Sequence, residues 1–228
     1  MMIEKLYPYR FELFLTTQLL VLFGSIAMPI SWFENWIMPV LLLLNISSGI
    51  LLAFKKKRLF RFLLAFLAIS ALMVITGFIN SAIDKNFNYA KLGSYFIFYA
   101  IVTVEIVKQV WKAKFVSKNV ILGLVSGYIS LGLLAFFLCL TIEILYPNSF
   151  SGLAIGSAGT SEITDQLMYY SYITLMTIGY GDILPVTAIA QKASIFIGLI
   201  GQFYLVILTA IVVGKYINQL SQSNEKNR

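Results

Sequence analysis

Histidine is absent from the 228 residues, and cysteine occurs once, at Cys139. A zinc site needs nitrogen and sulfur ligands that this chain does not supply. A lone cysteine cannot close an intrachain disulfide. Charge is scarce as well: Asp, Glu, Lys and Arg together make up 12% of the chain, against 59% hydrophobic residues and a mean hydropathy of +0.85. A water-exposed globule of that balance would precipitate, so an integral membrane protein is the implied class. No clustered carboxylates or nucleophile motif stand in for the missing histidines, so enzymatic acid–base work is not expected.

The net charge is +7. The cations gather at the ends of apolar stretches, which points to membrane topology and not to nucleic acid. The opening MMIEKLYPYRFE lacks a small-residue cleavage site after a short apolar core, so no cleaved signal peptide is expected. The length leaves no room for a large soluble domain beside the apolar spans.

Six stretches are long enough to cross ~30 Å of hydrocarbon at ~1.5 Å per residue. They are Leu13 to Ile30, Trp36 to Phe54, Leu59 to Ile79, Leu92 to Val110, Val120 to Tyr146 and Val186 to Ile217. Pro147 to Glu162, rich in Gly and Ser, is too polar to span. Ser161 or Thr164 could cap a short helix over Asp165 to Met176. That helix cannot cross, so it should re-enter from the side it left. The fold expected is therefore an all-α membrane protein of six transmembrane helices plus one re-entrant helix and loop. With both termini cytoplasmic, 14 of the 17 Lys and Arg lie on inner segments, leaving only Lys85, Lys91 and Lys192 outside.

Between the short helix and the last span lies Thr177-Ile178-Gly179-Tyr180-Gly181-Asp182. Glycine adopts backbone angles closed to other residues, so Gly179 and Gly181 let successive carbonyls face one way. The segment resembles the T-V-G-Y-G filter of the potassium channels, with Ile178 where Val is commoner. The resemblance to their pore domain covers about Val120 to Ile217. It implies that the backbone carbonyls of Thr177, Ile178, Gly179 and Tyr180 bind permeant K+, with Gly181 completing the filter. Thr177 would add its hydroxyl, and Asp182 would attract cations at the outer mouth. One loop cannot make a four-sided filter, and no internal repeat is visible, so a homotetramer is implied.

The same resemblance assigns further residues. The C-terminal end of the short helix would aim partial negative charge at the ion. Tyr169 and Tyr170 stand where the family often has a Trp pair bracing the filter; the other reading is a pair of interfacial aromatics. Gly201 matches the spacing of the family's hinge glycine, with Gly198 one turn earlier; close helix packing is the competing role for each. Leu205, Thr209 and Val213 step by four and would face a central cavity, and Val213 and Ile217 would narrow the inner mouth.

Residues 1–118 resemble a voltage-sensor domain in number and placement of spans alone, 119–217 the pore domain, and 218–228 form a short tail. Leu92 to Val107 carries no basic residue, so voltage sensing should be weak or absent. Glu105, an acid inside a span, is expected to pair with Lys108 or to act as an ion or proton sensor. The link Lys114 to Lys118 is too short to reach a neighbouring subunit. Lys55, Lys56, Lys57, Arg58 and Arg61 read as a topology signal or as a site for anionic lipid. The expected function is passive potassium conduction in a cell membrane of prokaryotic type, with no cofactor. A poorly selective cation channel and a potassium transporter subunit are the alternatives.

Overall fold

The computed structural model describes residues 5–29, 32–79, 85–153 and 160–226. It is helical nearly throughout. The first four long helices are α1 (Arg10–Phe23), α2 (Met38–Leu52), α3 (Lys57–Ile79) and α4 (Lys85–Lys112). The fifth is α5 (Lys118–Leu145), followed by the short α6 (Thr160–Leu175). The last rod runs as α7 (Ala188–Phe203), a π turn (Tyr204–Leu208) and α8 (Thr209–Lys226). Two-residue strands β1 (Phe150–Ser151) and β2 (Leu184–Pro185) pair antiparallel on either side of α6, the one exception to the all-α expectation.

Among the described residues, five helical segments are long and apolar enough to cross a membrane: Tyr7–Ala27, Lys57–Thr76, Leu92–Lys112, Lys118–Leu145 and Ala188–Gln222. The expected second span, Trp36 to Phe54, is shorter as an α-helix. Its regular part is the 15 residues of α2, or ~22 Å at ~1.5 Å per residue. A π turn at Phe33–Ile37 leads into it, and the chain leaves the helix at Ala53. The end of the first expected span at Ile30 and the loop around 80–84 lie outside the described residues.

A polar seam runs through α1, α2 and α4. Tyr99 Oη on α4 donates to Asn45 Oδ1 on α2 at 2.7 Å. Asn45 Nδ2 donates in turn to Thr17 Oγ1 at 2.7 Å and to the Phe14 carbonyl at 3.2 Å on α1. In hydrocarbon an unmade hydrogen bond costs several kcal/mol, about 2–7 depending on the reference, so polar side chains inside a bundle pair with one another. Gln18 carries the seam onward, donating to Ser130 Oγ at 2.7 Å and the Ser126 carbonyl at 3.3 Å on α5. Apolar packing follows the same path: Tyr99 stacks on Phe137 with centroids 5.5 Å apart, and Phe136, Phe137 and Leu133 are fully buried. Within the chain, α1 and α4 thus pack on α5.

Glu105 is buried on α4, but its partner is not Lys108. Lys56, from the turn between α2 and α3, donates to Glu105 Oε2 at 2.5 Å, and Gln109 Nε2 donates to Oε1 at 3.1 Å. Three residues on, a helical side chain stands one turn away along the same helix. The α2–α3 turn instead folds over Glu105 from another element and neutralises it there. Lys56 is therefore engaged, though half exposed, and Lys55, Lys57, Arg58 and Arg61 beside it are exposed, the last three in the first turns of α3.

Candidate functional site

The short helix α6 begins at Thr160, earlier than the expected Asp165, so Ser161 and Thr164 fall within its first turns. Its end explains the loop that follows. Thr177 N–H donates to the Thr174 carbonyl at 3.0 Å, and Ile178 N–H reaches back to the Ile173 carbonyl at 2.9 Å. This pair of bonds is a Schellman closure, which requires a left-handed residue just past the helix. Thr177 takes that role with φ +59°, although it is not glycine. The first residue of the T-I-G-Y-G segment is thus also the terminating residue of α6.

Left-handed backbone then recurs at every second position: Thr177 at +59°, Gly179 at +58° and Gly181 at +83°, with Ile178 and Tyr180 between them on the usual side. Such alternation turns successive peptide planes the same way, which lets consecutive carbonyls line one side of a ribbon. A Cβ at Gly179 or Gly181 would meet no atom within 4 Å, so it is φ and not space in this chain that calls for glycine there.

Thr177 Oγ1 donates to the Met176 carbonyl at 2.7 Å and accepts from Gln202 Nε2 on α7 at 3.0 Å. Gln202 is a site residue that sequence reasoning missed. Its signal was an amide in the apolar run IFIGLIGQFYLVIL.

The two tyrosines part company. Tyr169 donates its hydroxyl to the Asp182 carboxylate, and that bond holds the phenol above its ordinary pKa. Tyr170 faces away from the loop. It is buried, bonds Ser194 Oγ on α7 at 2.6 Å and meets the Phe150 ring edge-on at 5.1 Å. The expected pair of braces is therefore one residue on the loop and one residue tying α6 to α7. They are adjacent on a helix, hence about 100° apart around its axis.

Beyond Asp182 the loop exit is anchored through β2. Ser151 pairs with Leu184 and Phe150 with Pro185. Glu143, near the end of α5, gathers the backbone N–H groups of Asn148, Ser149 and Phe150 at 2.8, 3.0 and 3.2 Å. Gly152 lies against the Asp182 carbonyl, where any Cβ would collide. Glu143 was not singled out in the sequence; its only mark was an acid near the end of an apolar span.

Behind the loop, Gly201 lets α7 press on the end of α6. A Cβ there would strike the Leu175 carbonyl, whereas one at Gly198 would sit 3.9 Å from the Thr174 carbonyl. Gly201 thus has a close-packing role in this conformation. On the same rod Gly201, Tyr204, Leu208 and Val212 are buried against the chain, and Tyr204 Oη bonds the Leu124 carbonyl at 2.7 Å. Leu205, Thr209, Val213 and Ile217 lie on exposed surface, as do Val206 and Ile207 beside them. The π turn takes in an extra residue, so stepping by four keeps one face from Thr209 onward but not across Tyr204–Leu208.

The loop's apolar side chains find no cover within one chain. Tyr180 is 71% exposed and Ile178 47%, and Phe203 on α7 is 60% exposed. Among the described residues no cluster of His, Cys, Asp or Glu could hold a metal ion.

The chain matches no curated protein and no solved structure. Residues 150–218 of this multi-pass membrane protein, from β1 through α6, the glycine loop and the inner rod, match the family model described as an ion channel.

Proposed function

We propose that the protein conducts potassium ions passively and selectively as a homotetramer. Four copies of Thr177 to Gly181 meet on one axis. The carbonyls of Thr177, Ile178, Gly179 and Tyr180 replace the water shell of K+. The observation that carries this reading is the alternation of left-handed residues at 177, 179 and 181 directly after the C-terminus of α6. The partial negative charge of that helix end favours a dehydrated cation nearby. The exposed Ile178, Tyr180 and Phe203 support assembly, because apolar side chains of this size at a filter need neighbours.

Asp182 collects cations at the outer mouth, held by Tyr169. Leu205, Thr209, Val213 and Ile217 are cavity and gate positions, and Gly198 and Gly201 bending points. α4 has no basic residue from Leu92 to Val107, so the field across the membrane has no charge to move there. The chain is a channel and not an enzyme; it lies in the cell membrane with both termini cytoplasmic.

Bilayer recording from purified protein under bi-ionic K+ and Na+ tests this. A reversal potential displaced strongly toward K+ is expected, together with loss of conductance in Gly179→Ala. A reversal potential near zero would leave an unselective cation channel. Uptake without unitary current steps would favour a transporter.

A further inference from the structure

A polar cavity of about 310 Å³ opens at the opposite end of α5 from Glu143. Arg10, Gln109, Lys114, Ser117 and Asn119 line it, so it draws on α1, α4, the 113–117 link and the first turn of α5. Two cations and no acid stand in its wall. The nearby acids already have cations of their own: Glu12 pairs with Lys118 at 2.8 Å and Glu105 with Lys56.

Arg10 is held in place before any ligand arrives. Its guanidinium lies over the Tyr7 and Phe11 rings, 4.2 and 4.8 Å from their centroids, and Nη1 donates to the Tyr7 carbonyl at 3.1 Å. Its Nε is buried and has no hydrogen-bond partner. A buried N–H donor without an acceptor is costly, and on a cavity wall it asks for one from outside. Among the described residues Lys114 takes part in no ion pair. Ser117, the N-cap of α5, makes no side-chain capping bond, so the positive end of that helix adds to the same field.

We propose that this cavity binds a phosphate group, with Arg10 and Lys114 as its cationic partners and Gln109, Ser117 and Asn119 as neutral donors. Arginine presents a planar fork of donors that matches phosphate oxygens. The cavity lies where the apolar spans end and the basic residues gather, so an anionic phospholipid head group is the natural source. Free phosphate shares the chemistry. Lys55 approaches the site, its Nζ lying 5.3 Å from the centroid of the same Tyr7 ring, whereas the wall itself holds neither Lys57 nor Arg58. The site also adjoins the inner rod: Val116 N–H donates to Gln219 Oε1 at 2.9 Å, and Lys215 Nζ donates to the Trp111 carbonyl at 2.6 Å. A bound head group would brace the link against the end of α8.

Native mass spectrometry of the purified full-length protein tests this, with phosphatidylglycerol, phosphatidylcholine and inorganic phosphate as probes. Phosphatidylglycerol should bind at one molecule per chain, and phosphatidylcholine at least tenfold more weakly. Arg10→Gln and Lys114→Gln should each weaken phosphatidylglycerol at least fivefold. Arg10→Lys, which keeps the charge but loses the fork, should fall between Arg10→Gln and the parent, and Arg58→Gln should stay within twofold of the parent. Displacement of the lipid by millimolar phosphate supports the site with a soluble source; no displacement supports it with a lipid source. The proposal is overturned by equal binding of the two lipids, by an unchanged Lys114→Gln protein, or by an Arg58→Gln loss as large as that of Lys114→Gln. Lys114 is exposed and, among the described residues, its side chain makes no ion pair, so its variant reads binding even where Arg10→Gln disturbs folding.

Discussion

Gln202 on the inner rod donates to Thr177 Oγ1 at 3.0 Å and so joins the moving part of the proposed channel to the first residue of its filter. Thr177 is already constrained, because it ends α6 in a left-handed conformation. The amide fixes the remaining freedom of its hydroxyl. In Gln202→Leu the volume is roughly kept and the donor is lost, at a cost of about 0.5–1.5 kcal/mol. The K+ over Na+ preference from bi-ionic reversal potentials should fall, with assembly intact. An unchanged preference would mean the amide is only packing.

Gly201 and Gly198 should behave differently when each becomes alanine. At Gly201 the new methyl meets the Leu175 carbonyl, and α6 must shift. Overpacking of that kind costs about 1–3 kcal/mol, and it should lower the thermal stability of the assembled protein along with its conductance. Gly198→Ala should melt within a degree or two of the parent. A Gly201→Ala protein of full stability with altered opening alone would favour the hinge over the packing role.

Tyr169→Phe and Tyr170→Phe separate the two aromatic roles. The first removes the bond to Asp182 and should shorten single-channel open times, since the outer end of the filter loses its tie. The second removes the Ser194 bond behind the filter and should act on stability with open times little changed. Equal effects from the two would contradict the split.

Lys56→Met should destabilise the four-helix unit, and Lys108→Met should not. With Lys56 gone, Glu105 keeps Gln109 as its donor but no cation. A buried acceptor short of its partner costs about 1–3 kcal/mol, with the lower end apt because Lys56 is half exposed. Thermal melting in detergent measures both, and a double change with Glu105→Gln should recover much of the loss.

Much of this was legible in the chain. Five of the six expected spans were visible because a membrane-crossing helix must be long and apolar, and the six-residue motif because two of its three left-handed positions carry glycine at fixed spacing. The partners were not. Lys108 is near Glu105 in sequence and Lys56 is not, yet the fold brings Lys56 to it. Tyr169 and Tyr170 are neighbours in the chain, but helical rotation sends them to different elements. Gln202 carried no pattern at all.

The sequence by itself determined the membrane class, the short helix with its glycine loop, and the absence of a charge ladder in the fourth span. Each of these follows from composition or from local backbone geometry, which act over a few residues. Only the tertiary structure decided which polar groups meet: Gln202 with Thr177, Lys56 with Glu105, Tyr169 with Asp182, and Arg10 opposite Lys114. Such pairings depend on how helices far apart in the chain cross and rotate, and no stretch of residues encodes that by itself.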